Sequence, residues 1–192
     1  MILDTGDFFD ISTDLVLKYG LAKNVNLEDE RKKEIDKEQR IIDAKQTAYN
    51  YASYKPRTIK QIKEKLKLKE FSQSETELAL KFLKDFNLID DEKFAKDFIN
   101  SFLKKKPSGK QRLSQELYQK GVPKDIIESS IEKHFPEEDK YELAIKACEK
   151  KLRTISNKTS DKQKTSLISY LQRQGFDWQV IKAMTNHFFI EK

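Results

Sequence analysis

A chain of 192 residues can form one domain or several small ones. Hydrophobic residues make up 37% of it and charged residues 36%, which permits burial but leaves a large solvent-facing area, as in elongated repeat proteins. Five Gly and four Pro are few interruptions, so we expect a predominantly helical protein. The single cysteine excludes an internal disulfide, and no apolar run is long enough for a membrane span or a signal peptide. These features favour the reducing cytoplasm.

The net charge of +6 is unevenly distributed along the chain. Residues 1–43 carry a balance of −4, whereas residues 44–192 carry +10. The basic excess therefore lies entirely in the later part of the chain. It predicts a polyanion or an acidic protein surface as the partner.

The amino-terminal segment, residues 1–40, differs from the rest. Residues 2–11 predict a small hairpin. Ser12 or Thr13 then caps a helix that Gly20 ends. Residues 27–40 are highly charged and predict either an exposed helix or a flexible tether.

The remainder of the chain repeats one pattern three times, with anchors 51 and 54 residues apart. Each unit has a leucine that ends a helix, an apolar residue four positions before it and another five positions after it. These triplets are Ile62, Leu66 and Phe71; Leu113, Leu117 and Val122; and Leu167, Leu171 and Phe176. Units of about 50 residues are marginal alone, so neighbouring repeats should share burial. We expect an all-α fold of three tandem three-helix repeats in an elongated, curved arrangement, spanning residues 41–89, 90–136 and 137–192.

Cap residues place the helices within each repeat. In the first repeat they predict helices over 41–54, from Thr58 to Leu66, and from Ser72 or Ser74 to a left-handed stop at Asn87. In the second they predict a helix after Asp90 or Asp91, a middle helix ended by Gly121, and a third from Pro123 to Phe135. In the third they predict helices over 139–151, 162–174 and 177–189.

Four segments occur in a distinctive order: Tyr54-Lys55-Pro56-Arg57, Leu88-Ile89-Asp90-Asp91-Glu92-Lys93-Phe94-Ala95, Gln115-Glu116-Leu117 and Lys120-Gly121-Val122. In these segments the chain resembles the RecX regulatory proteins of bacterial recombination. The resemblance covers roughly residues 40–190, with a weaker similarity in residues 9–21.

The resemblance implies tandem three-helix modules that bind the RecA recombinase filament on single-stranded DNA and lie in its helical groove. It implies suppression of ATP hydrolysis, strand exchange and the repressor co-cleavage of the SOS response, and so a role in homologous recombination and DNA repair. This is regulation by binding, without catalysis or a cofactor. Nothing in the repeats requires a dimer, so we expect a monomer.

Repeat one departs from the pattern at two places. Glu75 and Thr76 stand where the other repeats have apolar pairs, which predicts that burial in its third helix shifts to Leu78 and Leu80. Glu70 stands where the other repeats have glycine, which predicts a different turn.

Basic residues recur at the break before the second helix of every repeat, and we call them the corner cations. They are Lys55, Arg57, Lys60 and Lys63 in repeat one; Lys104, Lys105, Lys106, Lys110 and Arg112 in repeat two; and Lys150, Lys151, Arg153, Lys158, Lys162 and Lys164 in repeat three. Helix starts also offer free N–H groups to phosphate oxygens, so these sites could follow a DNA backbone or face acidic recombinase loops. The alternative is an ordinary solvated surface. Base reading, as in a helix-turn-helix protein, is not expected, because the third helices offer few basic residues.

The remaining candidates favour structural roles. Cys148 lies on an apolar face and predicts a core thiol. His134 and His187 fall near helix ends, so we expect them to serve in packing or capping. Two histidines and one cysteine do not provide the ligand spacing of a zinc site. We expect Trp178 to be a core anchor, or a contact hot spot if it is exposed. Phosphate loops, nucleophile elbows and metal motifs are absent from the sequence, so it indicates no enzyme.

Three functions therefore compete. The first is a modulator of the recombinase filament, and the second is a protein that coats nucleic acid by electrostatics alone. The third is a helical scaffold that has a protein partner and no DNA contact.

Overall fold

The computed structural model describes residues 10–22 and 26–189, and these form ten α-helices and one short 3₁₀ turn without a strand. The helices are α1 Thr13–Tyr19, α2 Asp29–Tyr54, α3 Ile59–Lys67, α4 Gln73–Asp85, α5 Asp91–Lys105, α6 Lys110–Lys120, α7 Lys124–His134, α8 Lys140–Thr154, α9 Ser160–Arg173 and α10 Trp178–Phe189. The predicted all-α tandem repeat is confirmed. The predicted hairpin falls mostly outside the described residues.

The chain divides into two compact units that meet in the sequence between Ile89 and Asp90. The first unit holds α1–α4, in which α2 packs mainly against α4. The second unit holds repeats two and three, in which α5 packs against α7 and α8 against α10. The first and third helices of each repeat thus pack against each other.

Residues 27–40 are not a tether, because α2 is one continuous helix of 26 residues from Asp29. The leading helix of repeat one was expected only from residue 41. Its earlier part is held by α1, since the Ser12 N–H donates to the Gln39 side chain at 2.7 Å and Lys18 pairs with Glu38. Gly20 ends α1 in a left-handed conformation, as predicted.

Side-chain caps start the helices where the sequence indicates. Thr58 and Gln61 form a capping box at α3, and Ser72 and Glu75 form another at α4. At α5 the Asp90 carboxylate accepts the N–H groups of the second and third helical residues at 2.8 and 3.0 Å. The first of the two predicted candidates is thus the cap at α4 and α5, whereas Ser12 stands at the N-cap position of α1 without a side-chain cap hydrogen bond.

The turn between the second and third helices is the same in all three repeats. Its central residue has a left-handed backbone, and the next N–H donates to a carbonyl five residues back at 3.2 Å in every case. The central residues are Glu70 with φ of 60°, Gly121 with 85° and Gly175 with 76°. The expectation that Glu70 would give a different turn is therefore wrong.

Arg40 of α2 stabilises this turn in repeat one, where glycine is absent. Its guanidinium donates to the Glu70 carbonyl at 2.9 Å and to the Glu75 carboxylate at 2.7 and 3.1 Å. Glu75 is buried, so an ion pair replaces the apolar contact that the other repeats make at this position. Of the two leucines expected to take over burial, Leu80 is buried but Leu78 is 41% exposed.

Each repeat has its own apolar core. The anchors Ile62, Leu66, Leu113, Leu117, Leu167 and Leu171 are all fully buried. Leu143 of α8 packs against the cores of both repeats two and three. The predicted sharing of burial is thus present within the second unit.

Repeats two and three also meet backbone to backbone. The Gly109 N–H donates to the Gln174 carbonyl at 2.9 Å, and the buried Ser108 hydroxyl lies 3.2 Å from the Gln174 side-chain oxygen. A Cβ atom on Gly109 would lie 2.1 Å from the Gly175 carbonyl oxygen, and one on Gly175 would lie 2.2 Å from the Arg112 nitrogen. Both positions therefore require glycine.

The Arg40→Ala substitution should lower the free energy of unfolding by about 1–3 kcal/mol, because it leaves the buried Glu75 carboxylate without its cation. Urea denaturation followed by circular dichroism measures this loss. Lys37→Ala is the control, because Lys37 is an exposed cation of the same helix. Equal losses in the two variants would contradict the role assigned to Arg40.

The same pair predicts a pH dependence. Hydrogen bonds from Arg40 hold the pKa of the Glu75 carboxyl below its ordinary value of 4.5. The folded-state pKa is depressed, so the ionised Glu75 carboxyl stabilises the fold fully at pH values above 4.5. This stabilisation is lost as the pH falls through the folded-state pKa. We expect Glu75→Gln to be less stable than the natural chain at pH 7 and the gap to shrink below about pH 4.5. A gap that stays constant down to pH 3 would contradict this.

The Gly175→Ala substitution should destabilise the second unit by more than about 2 kcal/mol, since the new methyl group meets backbone atoms at a left-handed position. Gly20→Ala is the matched control: its φ is 59°, but a Cβ there meets nothing within 4 Å. It should cost only the conformational term of about 1 kcal/mol. Thermal unfolding of both variants measures the difference, and similar losses would argue against close backbone packing.

Candidate nucleic-acid interface

The corner cations lie where the sequence indicates, around the loop between the first and second helices of each repeat. Eleven of the fifteen are exposed, and Arg57, Arg112, Lys151 and Lys164 are half-buried. Five of them lie at the carboxyl ends of α5 and α8: Lys104, Lys105, Lys150, Lys151 and Arg153. Cations at the carboxyl end of a helix are stabilised by its dipole, so this group has a structural reason to be basic.

The cations on the following helices have no such reason. Lys60, Lys110 and Lys162 lie in the first turns of α3, α6 and α9, where the dipole opposes a positive charge by about 0.3–1 kcal/mol. Only Lys110 is compensated, through a 2.6 Å ion pair with Glu137. Lys60 and Lys162 have no carboxylate partner within the described residues. An external anion would remove this unfavourable charge.

Two corner cations of repeat two are neutralised inside the protein. Arg112 pairs with Glu116 one turn along α6, and Lys110 pairs with Glu137. Glu137 also pairs with Lys140 at 3.0 Å, and the two lysines hold the pKa of its carboxyl below the ordinary range. The unpaired charge of this corner is therefore carried by Lys104, Lys105 and Lys106.

At least one corner cation in every repeat lies over an aromatic ring. The Arg57 guanidinium is 3.9 Å from the ring centre of Tyr51. The ammonium groups of Lys106 and Lys151 are 5.8 and 5.7 Å from the ring centres of Phe102 and Tyr170. These contacts orient the cations without neutralising them. The aromatic partners were not among the predicted site residues, although helical spacing from the basic run was a signal for Tyr51.

The corners of repeats two and three do not merge into one patch. The repeat-two corner packs on Gln174, at the carboxyl end of α9, whereas the repeat-three corner lies at the opposite end of that helix. A helix of 14 residues is about 21 Å long. The two clusters thus lie at opposite ends of a helix about 20 Å long, an arrangement that suits an extended polyanion better than a small ligand.

A pocket of about 230 Å³ lies between repeats two and three. The charges that line this pocket cancel, because two cations, Lys110 and Lys140, accompany two carboxylates, Glu137 and Asp177. Groups of three or more His, Cys, Asp or Glu able to hold a metal ion are absent from the part of the chain that the structure describes. No helix within that part is long and apolar enough to cross a membrane.

Two other predictions can be compared with the structure. Cys148 is a core thiol, as predicted, and burial raises its pKa to about 12, so it is protonated at neutral pH. Trp178 is 62% exposed, so the expectation of a core anchor is wrong and its exposure fits the alternative of a contact residue. Val180, Ile181 and Met184 provide the buried face of α10 instead.

Comparison with known proteins assigns all three repeats. Residues 44–83, 90–131 and 137–184 match the models of the first, second and third three-helix domains of RecX. The chain is 31% identical to the regulatory protein RecX of Clostridium perfringens over 98% of its own length and 91% of that protein. It is 33% identical to the corresponding protein of Clostridium botulinum, covering 95% and 85% of the two chains. A crystal structure of regulatory protein RecX superposes with a TM-score of 0.76 at 24% identity, covering 99% and 92% of the two chains, and supports the fold.

Proposed function

Since the chain belongs to the RecX family of regulatory proteins, we propose that it binds the RecA recombinase filament on single-stranded DNA and inhibits it. Inhibition would extend to ATP hydrolysis, strand exchange and stimulated repressor cleavage. The protein would thereby modulate recombination and repair in the bacterial cytoplasm, acting as a monomer without catalysis of its own.

The observation that supports the proposal is the recurrence, at the same corner of each repeat, of exposed cations that have no carboxylate partner among the described residues. A filament presents a regular array of phosphates and acidic loops, and a ligand with several positive contact points can engage several subunits together. Weak contacts linked in one chain bind far more tightly than each does alone. Inhibition at a small fraction of the recombinase concentration follows from this arrangement.

The second candidate is a protein that coats DNA by charge alone, which the same cations also favour. Coating requires saturation of the DNA and has a steep salt dependence. A modulator requires the recombinase and acts when it is far scarcer than the recombinase. The two functions therefore differ in the stoichiometry of inhibition.

The deciding experiment measures ATP hydrolysis by the cognate recombinase on single-stranded DNA while this protein is titrated from far below stoichiometric amounts. We expect the rate to fall at a small fraction of the recombinase concentration. Inhibition that begins only when the protein saturates the DNA would instead establish coating.

The corners are tested by a variant of six substitutions to glutamine, which should weaken inhibition at least tenfold while leaving the circular dichroism spectrum unchanged. The substituted residues are Lys104, Lys105, Lys106, Lys150, Lys151 and Arg153. The control changes six exposed cations of the same unit outside the corners, so both variants lose the same charge. These are Lys93, Lys96, Lys124, Lys133, Lys146 and Lys182. Full inhibition by the corner variant would remove these clusters from the mechanism and leave the scaffold as the function to pursue.

A further inference from the structure

The end of α2 presents an aromatic side chain that the fold does not use. Tyr54 is the last residue of the helix and is 84% exposed. Tyr51 lies one turn earlier on the same face of α2, and its ring packs against that core. A ring this exposed contributes little to folding, so Tyr54 is available for an intermolecular contact.

Arg57 lies beside this face as a fixed but unneutralised cation. Its guanidinium stacks on Tyr51 at 3.9 Å, and its Nε atom is buried without a hydrogen-bond acceptor. Two other arginines of the described chain pair with carboxylates: Arg40 with Glu75 and Arg112 with Glu116. Arginine has five N–H donors in a planar fork that matches phosphate geometry. A guanidinium already oriented by a ring loses little entropy when it binds such a group.

The charge around these residues has one sign. Residues 55–67 contain six basic side chains and a single acidic one, Glu64, which is exposed on α3. Lys55, Lys60 and Lys63 are exposed and have no carboxylate partner among the described residues. Lys65 also lies over the Tyr51 ring, at 5.8 Å. The potential therefore attracts a polyanion to the place where the free ring lies.

We propose that Tyr54, Lys55 and Arg57 form a subsite that binds single-stranded DNA directly, with one base stacked on Tyr54 and an adjacent phosphate on Arg57. Cationic grooves with exposed aromatic rings are typical of sites for unpaired nucleic acid, since every base offers a π-face. A duplex encloses those faces, and an acidic protein loop would use the cations while leaving the ring without a partner. The inference rests on the proposed function only in taking single-stranded DNA as the polymer that the protein meets.

The test uses the full chain without recombinase and measures fluorescence anisotropy of a labelled 20-nucleotide oligo(dT) and of a duplex of equal length. Tyr54→Ala should raise the Kd for the single strand about five- to tenfold, as expected for loss of one base stack, and leave the Kd for the duplex unchanged. Tyr54→Phe keeps the ring and should bind like the natural chain. Tyr118→Ala is the matched control, since Tyr118 is 70% exposed in the second unit.

Arg57→Gln separates the phosphate contact from the stack. It should weaken binding of both DNAs and reduce the slope of log Kd against log salt concentration by about one. The subsite is refuted if Tyr54→Ala binds the single strand as tightly as the natural chain, or if it loses affinity for single strand and duplex equally. Because recombinase is absent, such a failure leaves the filament proposal standing. Failure of substoichiometric ATPase inhibition would leave this binding result standing in turn.

Discussion

Every repeat depends on a single left-handed residue after its second helix. That residue reverses the chain so that the third helix returns across the second and covers the first, which encloses the two fully buried anchors of the second helix. An L-residue other than glycine pays about 1–2 kcal/mol for this backbone conformation. In repeat one the left-handed residue is Glu70, and a 2.9 Å hydrogen bond from Arg40 to its carbonyl helps to offset this cost. The side chain that permits this turn thus comes from a different helix.

The loop between the first and second helices buries Thr58 in repeat one and Ser108 in repeat two, but most of the cations beside it are exposed. This loop carries two kinds of cation: those at the end of the first helix, which the helix dipole stabilises, and those at the start of the second, which it opposes. The second kind indicates selection for something other than stability. Their recurrence, and the aromatic ring beneath at least one cation in each repeat, make the corners the surface on which the proposed regulation relies.

Local features of the sequence predicted most of the fold. The helices, their caps and the repeat follow from side-chain spacing and from residues such as Thr58, Ser72 and Asp90, whose effect extends over one turn. Two of the errors involve contacts between residues far apart in sequence. The conformation of Glu70 depends on Arg40, thirty residues away, and the early start of α2 depends on its packing against α1. The positions of the corner cations were predictable, but their pairing was not, because Glu137 neutralises Lys110 from a different repeat.

The mutual approach of Gly109 and Gly175 has an evolutionary consequence. Each glycine leaves no room for a side chain because backbone atoms of the other repeat occupy that space. A change at one position is tolerated only if the adjoining backbone moves, so drift at the two sites should be coupled. We therefore expect repeats two and three to constrain each other's sequence at this contact.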